Sequence, residues 1–175
     1  MSKKIAILAT DGFEEVELTS PKKAFEKEGF EVEIIGEKSG TIKSWQKDKW
    51  GKDFEVDKGL NEASAEDYDA LFLPGGALNP DKLRMNEDAL TFVRQFFEAD
   101  KTVASLCHGP WTLIDAEVVE GKKMTSYKSI SKDLKNAGAH WVDEEVVRDG
   151  NLITSRDPDD LPAFNAKVIE VLKQQ

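Results

Sequence analysis

Short apolar runs alternate with amphipathic segments along most of the chain, and this alternation constrains the fold more than any other feature. Ile5 to Ala9 is an almost unbroken apolar run, and a helical segment follows it towards Glu28. Gly29 ends that segment, and Glu31–Ile35 supplies the second strand. Strands buried on both faces are continuous apolar runs, and strand–helix–strand units join parallel strands through right-handed crossovers. The sequence therefore predicts an α/β fold, a three-layer sandwich around a mostly parallel sheet.

The rest of the chain continues this pattern with two departures. Residues 38 to 62 are less regular and are predicted to form short strands or a loop at one edge, and Glu145–Ser155 is predicted to be a β-hairpin turning at Asp149-Gly150. No linker or repeat divides the 175 residues, so one domain spanning 1–175 is expected. The other predicted elements are strands at Ala70–Leu73, Thr102–Leu106 and Gly121–Tyr127, a helix capped by Asn86, and helices at Trp111–Val118, Ile130–Ala137 and Pro162–Leu172.

Three of the predicted strands end in polar or glycine-rich turns. The first turn follows Thr10, the second is Pro74-Gly75-Gly76, and the third is at Cys107. In an open parallel sheet the carboxyl ends of the strands share one edge, and ligands bind there at the topological switch point. The sequence therefore predicts a site at this edge, although the architecture alone does not identify its chemistry.

Cys107 is the only cysteine, and it lies in a strand–turn–helix pattern. Thr102–Leu106 leads into it, and His108-Gly109-Pro110 turns the chain into the next helix. A cysteine there faces the positive end of a helix, where a thiolate is stabilised and free backbone amides can receive an oxyanion. The alternative is a buried, inert cysteine, since most free cysteines are small core residues. Local sequence leaves both interpretations open.

Charge and composition exclude several classes of function. The net charge of −10 disfavours nucleic acid and anionic membranes as main partners. One cysteine and two separated histidines provide no ligand set for a catalytic metal, and no cofactor-binding motif occurs. Asp11 and the acidic residues after it would repel a phosphate group at the end of the first strand, which disfavours flavin mononucleotide binding. Pro74-Gly75 occupies the place where a response regulator needs its aspartate.

The amino-terminal residues predict the cellular compartment. The apolar run before Asp11 has only about five residues, too few for a signal peptide, and no stretch approaches membrane-spanning length. A single cysteine also fits a reducing compartment. The chain is therefore expected to be cytoplasmic.

Several short motifs together make the chain resemble the PfpI family of intracellular cysteine peptidases, within the superfamily that includes the Parkinson-linked deglycase and related glyoxalases. The resemblance implies a flavodoxin-like sandwich, a nucleophile elbow at the cysteine, and a homodimer or higher homo-oligomer whose interface borders the active site. The motifs are Phe13-Glu-Glu-Val-Glu17, Leu73-Pro-Gly-Gly76, Cys107-His-Gly-Pro110, Asn136-Ala-Gly138, Glu144-Glu-Val-Val147, Thr154-Ser-Arg156 and Asp159-Asp-Leu-Pro162.

The resemblance assigns roles to individual residues. It implies that Cys107 is the nucleophile, that His108 is its neighbouring base, and that Glu17 hydrogen-bonds the reactive sulfur. A protonated Glu17 could donate to a thiolate, whereas an ionised one would raise the pKa of the thiol. The backbone amides of Gly76 and His108 are the expected oxyanion donors. Glu14, one helical turn from Glu17, is a candidate substrate-binding residue.

The resemblance also implies roles for two further positions. Relatives of this type orient the histidine with a glutamate from a neighbouring subunit, and Asp81 occupies that position here. An aspartate is one methylene shorter than that glutamate, so its carboxylate reaches less far across a subunit interface. Tyr127 lies where the family tends to have a tyrosine near the pocket, and it is a second candidate substrate-binding residue.

These assignments lead to two hypotheses about function. In the first, the Cys107 thiolate attacks the carbonyl of a small aldehyde, a glycated amine or a peptide, in an enzyme that protects against stress. A recessed elbow favours small aldehydes over folded polypeptides. In the second, Cys107 is a non-enzymatic redox sensor in a stress protein with a chaperone-like role. The sequence does not select the physiological substrate, the oligomer size or the oxidation state of the cysteine.

Overall fold

A computed structural model describes residues 2–175 of the chain. The α-helices are α1 Glu15–Lys27, α2 Leu78–Leu83, α3 Glu87–Glu98, α4 Pro110–Asp115, α5 Ser131–Asn136 and α6 Leu161–Lys173. The strands are β1 Lys4–Leu8, β2 Phe13–Glu14, β3 Glu31–Gly36, β4 Gly40–Gln46, β5 Lys49–Val56, β6 Lys58–Gly59, β7 Ala70–Leu73, β8 Thr102–Leu106, β9 Lys123–Met124, β10 His140–Trp141, β11 Val146–Asp149 and β12 Leu152–Ser155.

The central sheet has seven strands in the order β11-β12-β8-β7-β1-β3-β6. All neighbouring pairs are parallel except β11 with β12, which form the predicted hairpin at one edge. β1 lies between β3 and β7, so the chain leaves β1 towards one edge of the sheet and later returns on its other side. The topological switch point therefore lies between β1 and β7.

Two apolar layers cover the faces of the sheet and confirm the three-layer prediction. Leu18 and Phe25 of α1 pack with Phe164 and Val168 of α6 on one face. The other face carries side chains of α3, α4 and α5, such as Phe96. Alternate side chains of a strand point to opposite faces, and for this reason the continuous apolar strands supply both layers. Within residues 2–175, no helix combines the length and apolar character that crossing a bilayer requires.

The irregular stretch from 38 to 62 forms strands rather than a loop. β4 and β5 make an antiparallel hairpin, and β2 pairs with β4 to complete a separate three-stranded sheet. Trp45 and Trp50 pack edge to face across this hairpin, with ring centroids 5.2 Å apart. The Glu14 carboxylate accepts a hydrogen bond from the Lys47 N–H at 3.1 Å, which fastens the hairpin to the start of α1.

Three local predictions were wrong in detail. The expected strand at Gly121–Tyr127 is reduced to β9, which pairs with β10 outside the main sheet. The reason is that two backbone N–H groups of this stretch have other partners. The Thr125 N–H donates to the Thr154 hydroxyl, and the Tyr127 N–H donates to the Cys107 carbonyl. Helix α4 begins at Pro110 and ends before the left-handed Glu117. The β11–β12 loop is Gly150-Asn151, one residue later than predicted, because Asp149 pairs with Leu152.

Candidate active site

The predicted strand ends meet at one edge of the sheet. β1, β7 and β8 are adjacent and parallel, so the segments that follow them lie side by side. Asn79, which is 1% exposed, links two of these segments. Its Oδ1 accepts a hydrogen bond from the Thr10 N–H at 2.8 Å, and its Nδ2 donates to the carbonyls of Pro74 and Gly75 at 3.0 and 3.2 Å. A buried amide side chain therefore fixes the turn after β7 relative to the end of β1.

We expect Asn79→Ala to destabilise the protein and to disturb the site. The substitution leaves the Thr10 N–H and the Pro74 carbonyl without the Asn79 side chain, whereas the Gly75 carbonyl still accepts from the Glu14 N–H. We expect a loss of about 3 kcal/mol in the free energy of unfolding. Urea denaturation measures this loss, and Asn136→Ala, at an exposed position of α5, is the matched control with an expected change within about 0.5 kcal/mol. Equal stability of the two variants would contradict the structural role given to Asn79.

Cys107 adopts a strained backbone conformation at the end of β8. Its φ is 58°, in the left-handed region that costs an L-residue about 1 kcal/mol or more. The surrounding backbone holds it there, because the Cys107 N–H donates to the Ser155 carbonyl and the Cys107 carbonyl accepts from the Tyr127 N–H. Non-glycine residues in this region cluster at active sites. The geometry is that of a nucleophile elbow.

Glycines make the elbow sterically possible. A Cβ on Gly109 would lie 2.3 Å from the Ser105 hydroxyl, and one on Gly75 would lie 2.4 Å from Glu17 Oε1. Gly76 has a φ of 81°, and a Cβ there would meet the Gly12 carbonyl at 2.4 Å. The turn after β7 can therefore approach the sulfur closely. Burial raises the pKa of the Cys107 thiol, and the N–H groups of Gly76 and His108, which donate towards the sulfur, partly oppose that rise.

Glu17 lies beneath the sulfur on the first turns of α1. Glu17 is 1% exposed. Its carboxyl lies within hydrogen-bonding reach of the Cys107 thiol and the Gly75 N–H. Its Oε1 has no hydrogen-bond partner of standard geometry among residues 2–175. Burial raises the pKa of Glu17 to about 8, and the negative charges of Glu14 and Asp157 act in the same direction. A pKa of about 8 leaves the carboxyl mostly protonated at neutral pH.

The charge state of this pair decides how the sulfur can ionise. Burial raises the pKa of the Cys107 thiol, and so does a negative charge on Glu17. A protonated Glu17 removes that charge and becomes a hydrogen-bond donor. Glu17 can then stabilise a thiolate through its O–H, together with the two backbone amides. The local helix α4 has only six residues, so these contacts rather than a long helix dipole oppose the cost of burial.

His108 is half-buried beside the sulfur. Its Nδ1 lies 3.3 Å from Cys107 Sγ, and its Nε2 lies 3.3 Å from the Ser129 hydroxyl. Tyr127 stacks on the imidazole with centroids 5.0 Å apart, and Trp111 packs against it edge to face at 5.1 Å. Burial lowers the pKa of His108, and the charge of Asp133 partly opposes this effect. The imidazole is therefore neutral at pH 7 and able to accept a proton.

The other predicted residues have different surroundings. Asp81 is exposed on α2 and makes no side-chain hydrogen bond or ion pair within residues 2–175, so its predicted role across a subunit interface stays a prediction. Glu14 is half-buried, and burial raises its pKa, but its Oε1 already accepts the Lys47 N–H. Tyr127 lies directly against the histidine. No group of three or more His, Cys, Asp or Glu side chains within residues 2–175 is arranged to hold a metal ion.

Sequence reasoning missed Asn79, Trp111 and Ser129. Asn79 binds the backbone of the turns that follow β1 and β7, and its most distant partner, Thr10, is 69 positions away in sequence. Ser129 is 21 positions from His108. Ordinary polar residues of this kind carry no local signal. Only the proximity of Trp111 to the Cys107-His108 dipeptide could have suggested that its ring packs on the histidine.

Comparisons with known proteins find relatives that match nearly the whole chain. The family model described as DJ-1/PfpI family matches residues 3–171. The chain is 47% identical over 174 residues to "Protein/nucleic acid deglycase 2" of Escherichia coli, covering 98% of this chain and 99% of that protein. It is 46% identical over 173 residues to "Putative cysteine protease YraA" of Bacillus subtilis, covering 99% of this chain and all of that protein.

Solved structures give the same result for the fold. DJ-1beta of Drosophila melanogaster matches with a TM-score of 0.90 at 30% identity, covering 98% of this chain and 91% of that chain. A protein of Anabaena variabilis with DJ-1/ThiJ/PfpI-like and ferritin-like domains matches with a TM-score of 0.92 at 40% identity. The match covers 98% of this chain and 48% of that two-domain chain. The chain therefore belongs to the DJ-1/PfpI family.

Proposed function

We propose that this protein is a cysteine-dependent enzyme that acts on reactive carbonyl compounds, namely methylglyoxal, glyoxal and their adducts with amines, and that it protects the cytoplasm against such compounds. The observation that carries the proposal is the environment of Cys107, in which a strained elbow presents the sulfur to two backbone N–H groups and a protonated Glu17. The names of the deglycase and cysteine protease relatives support an enzyme of this family.

The reaction with methylglyoxal needs only groups of this chain and water. Cys107 Sγ bonds to the aldehyde carbon, its proton passes to His108 Nδ1, and the N–H groups of Gly76 and His108 stabilise the oxyanion. In the hemithioacetal, the proton on the former aldehyde carbon passes to the neighbouring carbonyl carbon, and the hydroxyl proton passes to the oxygen of that carbonyl. These two transfers convert the hemithioacetal into a thioester. Water then cleaves the thioester and restores the thiol. One methylglyoxal and one water give one hydroxy acid, without an external oxidant or reductant.

Limited access favours small substrates. Cys107 is only 8% exposed, so a folded polypeptide cannot bring its backbone to the sulfur without local rearrangement. A cavity of about 330 Å³ lies beyond Tyr127, lined also by Lys128, Arg156 and acidic side chains, but it does not include the sulfur. An aldehyde of a few atoms needs no such rearrangement. We therefore expect aldehydes and glycated amines to be better substrates than peptides.

A substrate panel tests the proposal. Purified protein is incubated with methylglyoxal, with methylglyoxal-treated N-acetylarginine and with a fluorogenic peptide, and hydroxy acid formation is followed. Product formation matters here because a thiol can sequester aldehyde without turnover. We expect hydroxy acid from methylglyoxal and little peptide cleavage. Peptide cleavage alone would contradict the carbonyl assignment. Absence of any turnover, with a discrete oxygen adduct on Cys107 after peroxide, would favour a redox sensor.

We also propose that the chain forms a homodimer or a higher homo-oligomer. Leu78 and Val16 are 41% and 43% exposed, and Leu78 lies over Gly12, beside the turn that follows β1. Exposed apolar side chains next to a site support a subunit interface that borders it. Light scattering of the purified protein measures the mass in solution, and a monomer at all concentrations would contradict this part of the proposal.

A further inference from the structure

Both ring nitrogens of His108 have partners within a single chain. Nδ1 faces Cys107 Sγ and Nε2 faces the Ser129 hydroxyl, each at 3.3 Å. The ring is held between Tyr127, stacked at an interplanar angle of 23°, and Trp111, at 72°. A carboxylate from outside the chain would therefore have to displace Ser129 to reach Nε2. Groups of one chain therefore contact both nitrogens and both faces of the imidazole.

Hydrogen bonding and a cation–π contact also fix the position of Trp111, which packs against the imidazole. Its indole N–H donates to the Asp133 carboxylate at 2.9 Å, and the Arg84 guanidinium lies over the indole at 5.2 Å. Arg84 is also paired with Asp115 at 2.8 Å. The charges nearest the histidine on this side are thus engaged with other groups.

We infer that Ser129 is a positioning residue for the proposed reaction, holding Nε2 of His108 so that Nδ1 exchanges protons with Cys107. This inference rests on the proposed function and names the group that completes the site within one chain. Ser129 is exposed in the short turn Lys128–Ile130, so its hydroxyl connects the half-buried ring with solvent. A hydroxyl can both donate and accept, whereas a carboxylate only accepts.

This difference has a chemical consequence. When Nδ1 takes the thiol proton, Nε2 can pass its own proton to the Ser129 oxygen, whose proton goes to solvent. The ring is then neutral again, with its proton on Nδ1 instead of Nε2. No long-lived imidazolium is required. A carboxylate at Nε2 would instead stabilise the imidazolium. The groups that face the ring are Cys107 with Glu17 below it, the phenol of Tyr127 and, more distantly, Asp133, and none of them places a carboxylate on Nε2.

Nitrogen NMR of labelled histidine tests the inference independently of activity. The chain has two histidines, so His140→Gln assigns both signals. We expect Ser129→Ala to change the tautomer ratio of His108 and to lower kcat about 10-fold with KM within about 2-fold, as befits a group that orients a proton-transfer residue. Ser129→Thr should restore both readouts, and Ser129→Asp should raise the pKa of His108.

Two comparison variants make the result decisive. Ser131→Ala, two residues along the chain, should leave the spectrum and kcat unchanged, because no side-chain hydrogen bond of Ser131 occurs within residues 2–175. Asp81→Asn reports on the alternative partner. If Asp81→Asn changes the tautomer or pKa of His108 and Ser129→Ala does not, the inference is overturned. Failure of every substrate would refute the proposed function but leave the NMR readout intact, so the two failures are distinguishable.

Discussion

Replacing Glu17 with glutamine is expected to remove most of the pH dependence of stability between about pH 4.5 and 8. The folded protein raises the pKa of this buried carboxyl from 4.5 to about 8. In that interval the folded state keeps a proton that the unfolded state releases, so the free energy of unfolding falls as pH rises. The full effect reaches about 5 kcal/mol at and above pH 8. In wild type the contribution of Glu17 to the free energy of unfolding should therefore be most favourable below pH 4.5.

Urea denaturation at a series of pH values measures this effect. Glutamine has nearly the size of glutamate and keeps a hydrogen-bond donor but cannot ionise, so the variant should gain stability over wild type as pH rises towards 8. Glu98→Gln, at an exposed position of α3, is the matched control and should follow wild type. A wild-type stability that does not fall between about pH 5 and 8 would show that Glu17 is ionised throughout and would contradict the proton assigned to it.

The same variant should shift the reactivity of the thiol. In wild type Glu17 is mostly protonated below its pKa of about 8, so it can donate its O–H to the sulfur as the thiol ionises. In Glu17→Gln the donor is an amide N–H, which is weaker than a carboxylic O–H, so the buried thiolate is stabilised less. The midpoint of alkylation by iodoacetamide against pH should therefore move upward. A midpoint that moves down would mean that the negative charge of Glu17 dominates in wild type.

Cys107→Ser is expected to lower turnover of methylglyoxal by at least about 10³-fold. The serine hydroxyl fits the same space but does not ionise near neutral pH, so the attack on the carbonyl carbon is lost. Cys107 lies within an apolar layer as well as at the elbow, so a stability measurement must accompany the assay. We expect the free energy of unfolding to fall by about 1 to 3 kcal/mol, because a hydroxyl replaces a thiol at a buried position.

The outcome separates chemistry from folding. A folded Cys107→Ser variant without activity places the reaction at this sulfur. Retained turnover in the same variant would place it elsewhere and remove the basis of the proposed function. Because Cys107 is the only cysteine, peroxide adducts and alkylation need no further mutant to be assigned to this position.

Local sequence predicted the elements whose signals are local. The apolar runs of β1, β7 and β8 formed the predicted parallel strands, and Asn86 caps α3 with its side chain accepting from the N–H groups of Asp88 and Ala89. The strand predicted at Gly121–Tyr127 largely failed, because contacts with Thr154 and Cys107 replaced the ladder hydrogen bonds that a strand requires. Local pattern cannot anticipate a competing partner that arrives from another part of the chain.

The sequence by itself determined the architecture and brought Cys107 to the sheet edge where the parallel strands end, because apolar periodicity and glycine turns act over a few residues. Only the tertiary structure decided that burial raises the pKa of Glu17, that Asn79 joins two strand ends, and that Ser129 contacts the histidine. These properties arise from burial and from contacts between residues distant in sequence. Exclusion of water sets the cost of a charge, and that cost exists only once the layers have closed over the side chain.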